Sequence, residues 1–313
     1  GASGDLTPSA HMALALMGEG AFLTKSGERL SAKDGLQALD LPPLKLESRA
    51  ALALVNGTSA MTGIACLNSE GLRSCLHWAV ASASVYCDVM GARMEAYDDR
   101  LQSVRHHEGQ IQIASELRLW LEDSKRVVQR PIADMQINAL PTADDVGWRQ
   151  DPYTLRWLPQ AMGAVLDVLS WHNDVVAREA QAVTDNPVLA EDPPYALHGG
   201  NFFGQHIGFV SDALIAPVIS LANIMDRQLA RLVEANETPG LPAMLSPEMP
   251  GLNSGFMGAQ VTSSALLAEM RSQAIPASMQ SVPTNGNNQD INTMGTIAAR
   301  KIATLLDDLA SVI

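Results

Sequence analysis

Apolar residues in this chain return every three to four positions over long runs. That spacing leaves little room for any fold but a helical one. From Thr293 to Ile313 they fall at Met294, Ile297, Ala298, Ile302, Leu305, Leu306, Leu309 and Ile313. The same period predicts helices over Pro8–Gly18, Ser48–Val55, Asn68–Met90, Ile111–Arg130, Leu158–Val183, Gly204–Ala235, Thr262–Gln273 and Asp290–Ile313. Strand-like alternation is confined to a short hairpin expected near Phe22–Leu30, around Ser26-Gly27. Aromatic residues make up only 4% of the chain, a balance that favours helix over sheet. Breaks fall at Leu41-Pro42-Pro43, Asp192-Pro193-Pro194, Pro239–Pro242 and Pro247–Asn253. The expected fold is mainly α, a long helical bundle, with residues 1–313 forming a single helical core. Leu140–Tyr153 is rich in turn residues, yet the chain reads as one continuous unit.

Charge narrows the function. The net charge of −13 opposes the phosphate backbone of nucleic acid and an anionic membrane surface alike. Charged residues are 18% of the chain, below the roughly 25% of an average soluble domain. That deficit points to surface hidden in subunit contacts. Cys66, Cys75 and Cys87 match neither a metal pair nor a disulfide framework and read as reduced, buried thiols of a cytoplasmic protein. The apolar stretch Ile207–Met225 carries Asp212, Asn223 and Pro217, and reads as a buried core helix rather than a bilayer span. The chain begins at Gly1, and its last helical pattern runs to Ile313 without a stop signal, so it reads as part of a longer protein.

Four polar junctions interrupt the helical pattern. They are Gly1–Leu6 (GASGDL), Asn56–Ser59 (NGTS), His198–Phe202 (HGGNF) and Asn285–Asp290 (NGNNQD). Each alone is what a helix cap or turn looks like. In the first, Thr7 reads as an N-cap with Pro8 at the first helical position, which puts Ala2-Ser3-Gly4 just ahead of a helix start. Free backbone N–H groups and the positive end of the helix dipole favour developing negative charge there. The bland alternatives are a capping hydroxyl at Ser3 and a positive-φ turn at Gly4.

The octet Gly1–Pro8 (GASGDLTP), with His11 and Gly18-Glu19-Gly20, resembles the signature of the histidine, phenylalanine and tyrosine ammonia-lyases and related aminomutases. Further segments agree in order and approximate separation. They are Ala51–Thr62, Arg105–Gln110 (RHHEGQ), Gln150–Gln160 (QDPYTLRWLPQ), Thr184–Pro187 (TDNP), Leu197–His206 (LHGGNFFGQH), Gly251–Arg271 and Asn287–Asp290 (NNQD). The resemblance covers Gly1 to about Arg300 and is nearest in style to bacterial tyrosine ammonia-lyases. It implies the helical architecture of the fumarase/aspartase-like superfamily. It also implies a homotetramer whose active sites mix several subunits. In that family the Ala-Ser-Gly tripeptide cyclises and loses water to form 4-methylidene-imidazol-5-one (MIO).

Such a group answers a chemical need. Loss of ammonia from an α-amino acid asks for an electrophile, and ordinary side chains are nucleophiles, acids or bases. No nucleotide or metal signature supplies a substitute. Gly4, without a side chain, lets its nitrogen approach the Ala2 carbonyl, and Ser3 can lose its hydroxyl. By position the resemblance implies further roles. Arg156 presents a planar fork to the substrate carboxylate; its other reading is an ordinary helix ion pair. Tyr153 borders the substrate and MIO from the same helical face as Arg156, and Gln150 extends that face by one more turn. Asn56 holds the cofactor carbonyl or the substrate's amino acid head; its other reading is a left-handed turn residue. Asn201 and Phe202 line the pocket near the carboxylate and cofactor. Asn288 and Gln289 face the substrate from the opposite side. Histidine-specific relatives carry Glu at the position of Gln289, so a neutral Gln favours an uncharged aromatic substrate.

The implied reaction is elimination of ammonia from an aromatic L-amino acid, foremost tyrosine to p-coumarate. A tyrosine or phenylalanine 2,3-aminomutase, a phenylalanine or histidine ammonia-lyase, and an inactive helical scaffold are the alternatives. Ser9, Pro152, Gln181 and Ile275 depart from the usual family residues, none at a position given a role. The family's general base is a tyrosine upstream of the tripeptide, and Tyr153 is not its counterpart. His106-His107 are adjacent, so they point apart on a helix and make a poor metal pair; Asp307-Asp308 reads as a solvated helix face.

Overall fold

A computed structural model of the chain describes residues 3–47, 49–129, 150–238, 240–249 and 251–313. It is mainly α. The helices are α1 (Leu6–Leu16), α2 (Ala32–Ala38), α3 (Ala50–Val55), α4 (Ser59–Met90), α5 (Asp99–Ser103), α6 (Glu108–Trp120), α7 (Tyr153–Arg156), α8 (Leu158–Ala180), α9 (Gln205–Ala213), α10 (Ile215–Leu232), α11 (Met257–Ser272) and α12 (Gly295–Val312). Two hairpins accompany them: β1 (Ala21–Leu23) with β2 (Arg29–Ser31), and β3 (Val188–Glu191) with β4 (Pro194–Leu197). The first is the hairpin expected around Ser26-Gly27. The second occupies a stretch read as a loop, because Pro193-Pro194 signals a break. In a two-stranded ribbon each strand has an open edge, where a proline costs no ladder bond.

The described residues form two compact units, each assembled from separate stretches of chain. The first comprises 1–68, 172–212 and 276–302; the second comprises 69–171, 213–275 and 303–313. In the first unit α1 packs on α2 and α3, and α2 packs on the β1–β2 hairpin. Its core gathers Met61, Ala65, Val176 and Ile207, all at most 4% exposed. In the second unit α10 packs on α11 and on α7, and α5 packs on α6. Ile113 and Leu117 of α6, Leu158 and Met162 of α8, and Leu221 of α10 are fully or almost fully buried there. A methyl group on Gly109 would lie 2.3 Å from the Gly163 carbonyl oxygen, so α6 and α8 touch backbone to backbone. At the same crossing Asp167 of α8 accepts the Gly109 N–H at 2.8 Å, capping the first turn of α6 from outside.

Several helix limits differ from the sequence expectation, for identifiable reasons. α1 starts at Leu6, two residues early: the Asp5 carbonyl accepts the Ser9 N–H at 3.0 Å, and Pro8 still falls among the first N–H groups, which have no helical partner. Gly204–Ala235 is two helices, since Pro217 offers no N–H to the Ala213 carbonyl. α6 ends at Trp120, and the last residue expected in that helix, Arg130, lies outside the described residues. α12 begins only at Gly295, after Met294 adopts a positive φ. Asn56, offered as a left-handed turn residue, is extended; the positive φ belongs to Gly57. Cys75 and Cys87 are buried, but Cys66, expected to be buried too, is exposed.

Candidate active site

The first unit collects all four polar junctions. Asp5 N–H donates to the Gly57 carbonyl at 2.7 Å, which lays Gly4 alongside the Asn56-Gly57 turn. Gly4 has φ +78°, and a Cβ built on it would sit 2.0 Å from the Gly57 oxygen. No residue with a side chain fits that place. Gly57 is constrained in turn: its φ is +138°, and a Cβ would meet the Thr184 hydroxyl at 2.6 Å. Ser3 therefore stands at the entrance to α1, against a glycine cradle.

The Asp5 side chain is almost fully buried and leaves its own helix uncapped. It accepts instead the Met61 N–H at 2.7 Å, in the first turn of the 32-residue α4, and the Thr296 hydroxyl near the start of α12. One carboxylate thus ties the tripeptide to two helix N-termini, where the dipoles favour its charge.

The fourth junction reaches Ser3 directly. Gln289 Nε2 donates to Ser3 Oγ at 2.6 Å. A backbone bridge between Thr284 and Gln289 closes the loop that carries it, and Asn285, Gly286 and Asn287 all adopt positive φ within that loop. The Thr284 hydroxyl donates to Gln289 Oε1 at 3.1 Å, which turns the amide's N–H side toward Ser3.

Asn56 donates through Nδ2 to Asp185 Oδ1 at 3.2 Å, while Arg49 Nη2 reaches Asp185 Oδ2 at 2.6 Å and the Pro187 carbonyl at 2.7 Å. Burial pushes the Asp185 carboxyl up. The bonds from Asn186 N–H, Asn56 and Arg49, with the Arg49 charge, outweigh that and hold it below the usual carboxylate range. Asn186 accepts the Gly199 N–H at 2.7 Å, and Asn201 Nδ2 donates to the Val183 carbonyl at 3.2 Å, so the third junction is tied to the Thr184–Pro187 turn. Phe202 is half-buried; Asn201 and Asn288 are exposed. Ala2 lies outside the described residues.

The second unit holds Gln150, Tyr153 and Arg156 around a cavity of about 310 Å³, with Arg93, Asp151 and Gln160 also in its wall. Tyr153 and Arg156 share a helical face as expected, with the guanidinium carbon 4.8 Å from the Tyr153 ring centroid. Gln150 lines the same cavity without extending that face, because Pro152 is the N-cap and the helix starts after it. No described carboxylate pairs with Arg156, and its Nε is buried without a hydrogen-bond partner. Asp151 is committed elsewhere, to Arg93. The four-residue α7 is held from outside: Tyr97 donates to the Leu155 carbonyl at 2.8 Å and Gln228 to the Thr154 carbonyl at 3.1 Å.

Asp5, Arg49, Asp185 and Tyr97 carry this geometry without having been singled out from sequence. Only Asp5 and Asp185 stood inside the segments of resemblance.

Comparison with known proteins agrees with these features. The model of the aromatic amino acid lyase family matches residues 1–313. A tyrosine ammonia-lyase from Cereibacter sphaeroides is 48% identical over the whole of this chain, which spans 60% of that protein. A histidine ammonia-lyase from Caldanaerobacter subterraneus is 37% identical over the whole chain, which spans 58% of it. The crystal structure of tyrosine aminomutase from Streptomyces globisporus superposes with a TM-score of 0.89 at 33% identity, covering all of this chain and 60% of that one. This chain belongs to the aromatic amino acid lyase family.

Proposed function

We propose that the protein releases ammonia from an aromatic L-amino acid, tyrosine before others, as a carbon–nitrogen lyase, with Ala2-Ser3-Gly4 as the source of an MIO group and residues 1–313 as its catalytic core. The observation that carries this reading is the cradle at Ser3-Gly4: a backbone carbonyl stands where any Cβ on Gly4 would go, and an amide donor meets the Ser3 hydroxyl. The residues fit the group, since only a glycine occupies that place and Ser3 is held at a helix N-terminus. The MIO group supplies the electrophile that an ordinary side chain lacks.

The protein's own residues then have separable tasks. Arg156, whose Nε has no hydrogen-bond partner among the described residues, offers its guanidinium to a carboxylate in a wall shared with Tyr153 and Gln150. Asn56, steadied by Asp185 and Arg49, stands one residue before Gly57, whose backbone lies alongside Gly4. Gln289 is neutral, so it adds no charge to repel or attract a substrate ring. The tyrosine preference is supported by the 48% identity to a tyrosine ammonia-lyase against 37% to a histidine ammonia-lyase. A tyrosine aminomutase is the second reading, favoured by the 0.89 superposition on such an enzyme. We place the protein in the cytoplasm as a homotetramer; exposed Leu67, Trp78 and Val85 along α4 support subunit contacts there.

The test is a product assay on the full-length protein with tyrosine, phenylalanine and histidine in parallel. Ammonia and p-coumarate from tyrosine are expected, and β-tyrosine as the main product would select the aminomutase. No product from any of the three would remove the reading.

A further inference from the structure

An asparagine amide has two ends of nearly equal shape, one that donates and one that accepts, and its own backbone does not choose between them. A carboxylate neighbour does choose, because it can only accept. On the reading of Asn56 as a residue that meets the cofactor or the substrate's amino acid head, we propose that Asp185, anchored by Arg49, is a positioning residue of the reaction. It takes the donor end of the Asn56 amide and so leaves the carbonyl oxygen and one N–H for the chemistry.

The bonds make the choice one-sided. Asn56 Nδ2 donates to Asp185 Oδ1 at 3.2 Å. The opposite setting would bring Asn56 Oδ1 against a carboxylate oxygen, two acceptors with no proton between them. Asp185 is itself fixed. Its Oδ1 also accepts the Asn186 N–H at 2.7 Å, and its Oδ2 accepts from Arg49 Nη2 at 2.6 Å. The same Nη2 reaches the Pro187 carbonyl at 2.7 Å, which ties the guanidinium to the backbone beyond Asp185. Burial pushes the Asp185 carboxyl up, yet these bonds and the Arg49 charge hold it below the usual range, so it stays an acceptor only.

The placement suits the task. Arg49 is the N-cap of α3 and Asn56 its C-cap, so one carboxylate grips both ends of a six-residue helix. Two residues past Asn56, Thr58 N–H donates to the Thr184 hydroxyl at 3.4 Å. Gly57, between the two contacts, is the residue that lies alongside Gly4. The turn beside the tripeptide is thus held on both sides. The amide's setting is decided before substrate arrives, and a preset dipole acts without first reorganising.

A merely structural clip between α3 and the Thr184–Pro187 turn makes a different prediction. Asp185→Asn keeps the shape of the side chain but can offer either end of an amide to Asn56, so the setting is lost. The experiment is a double-mutant cycle on the full-length protein with tyrosine: wild type, Asp185→Asn, Asn56→Ala and the two together. Circular dichroism compares folding, and mass spectrometry follows the peptide containing Ser3. Asp185→Asn should lower kcat/KM about 10- to 100-fold, with its Ser3 peptide as light as that of the wild type. The double variant should be no slower than Asn56→Ala, because without the amide Asp185 has nothing left to set. Effects that multiply, as for a clip acting on its own, would overturn the inference. So would wild-type turnover in folded Asp185→Asn or in Asn56→Ala, or a Ser3 peptide of full mass in Asp185→Asn. Each of these leaves the lyase reading intact. Should Asp185→Asn not fold, Arg49→Met takes its place in the cycle, and multiplying effects there would overturn the inference instead. A wild-type protein without turnover would overturn the lyase reading and this inference with it.

Discussion

At the scale of single residues, the site is built by side chains that are missing as much as by those present. Gly4 must lack a Cβ because the Gly57 oxygen is already 2.0 Å from where one would be. Gly4→Ala should therefore push the two strands of backbone apart, at a cost of about 1–3 kcal/mol. The denaturant midpoint should fall by that amount, and the peptide containing Ser3 should keep its full mass. Arg156 makes the opposite case: its Nε has no hydrogen-bond partner among the described residues, so Arg156→Ala should weaken substrate binding by about 2–5 kcal/mol, read as a raised KM on tyrosine. Unchanged kinetics would remove its assigned role. The glycine and the arginine were both legible in sequence, because a tripeptide and a Tyr-Thr-Leu-Arg segment keep their identity when read in a line. Asp5 was not. The sequence put the cap of the first helix at Thr7, whereas Asp5 holds the N-cap position of α1 and its carboxylate caps α4, which starts 54 positions downstream at Ser59. Asp5→Ala should cost about 1–3 kcal/mol by stranding the Met61 N–H and the Thr296 hydroxyl.

At the scale of elements, the helical period was legible along nearly the whole chain, while helix starts were not. The reason is that caps come from elsewhere: Asp5 caps α4 and Asp167 caps α6, so neither start carries the local Ser, Thr, Asp or Asn signal in working position. The β3–β4 hairpin was hidden by its prolines for a similar reason, since a ribbon edge forgives what a sheet interior forbids. α7 shows how an element too short to be stable alone comes to hold a candidate site residue, Arg156. Tyr97, buried so that its hydroxyl is pushed far above its ordinary range, donates to the Leu155 carbonyl one residue before Arg156. Tyr97→Phe should destabilise the fold by about 1 kcal/mol and raise KM for substrate, while the mass lost at Ser3 stays at its wild-type value. Loss of that mass change instead would show that α7 is not where the substitution acts.

At the scale of the whole molecule, the helical period suggests one continuous core, whereas the described residues fall into two units interleaved along the chain. A linear reading cannot see such interleaving, because residues 1–68 find their partners at 172–212 and 276–302. The first unit gathers every polar junction, which is why four unremarkable turns become one site. Its stability should depend on pH through His172, which is fully buried. Burial, opposed only in part by a hydrogen bond to Asn173, lowers its pKa from 6.5 to about 4. The unfolded chain binds a proton there between those limits and the folded chain does not. The stabilisation is therefore complete above pH 6.5 and is lost as pH falls toward 4, by up to about 3 kcal/mol. Denaturation curves across that window should show the decline, and His172→Leu should flatten it.

The central claim is that ammonia is released by an electrophile drawn from Ala2-Ser3-Gly4. Its most direct test measures ammonia and p-coumarate formed from tyrosine by the full-length wild-type protein and by Ser3→Ala, both shown to be folded. Equal amounts of the two products from the wild type, and neither from Ser3→Ala, is the predicted result. Turnover by Ser3→Ala at the wild-type rate would contradict the account.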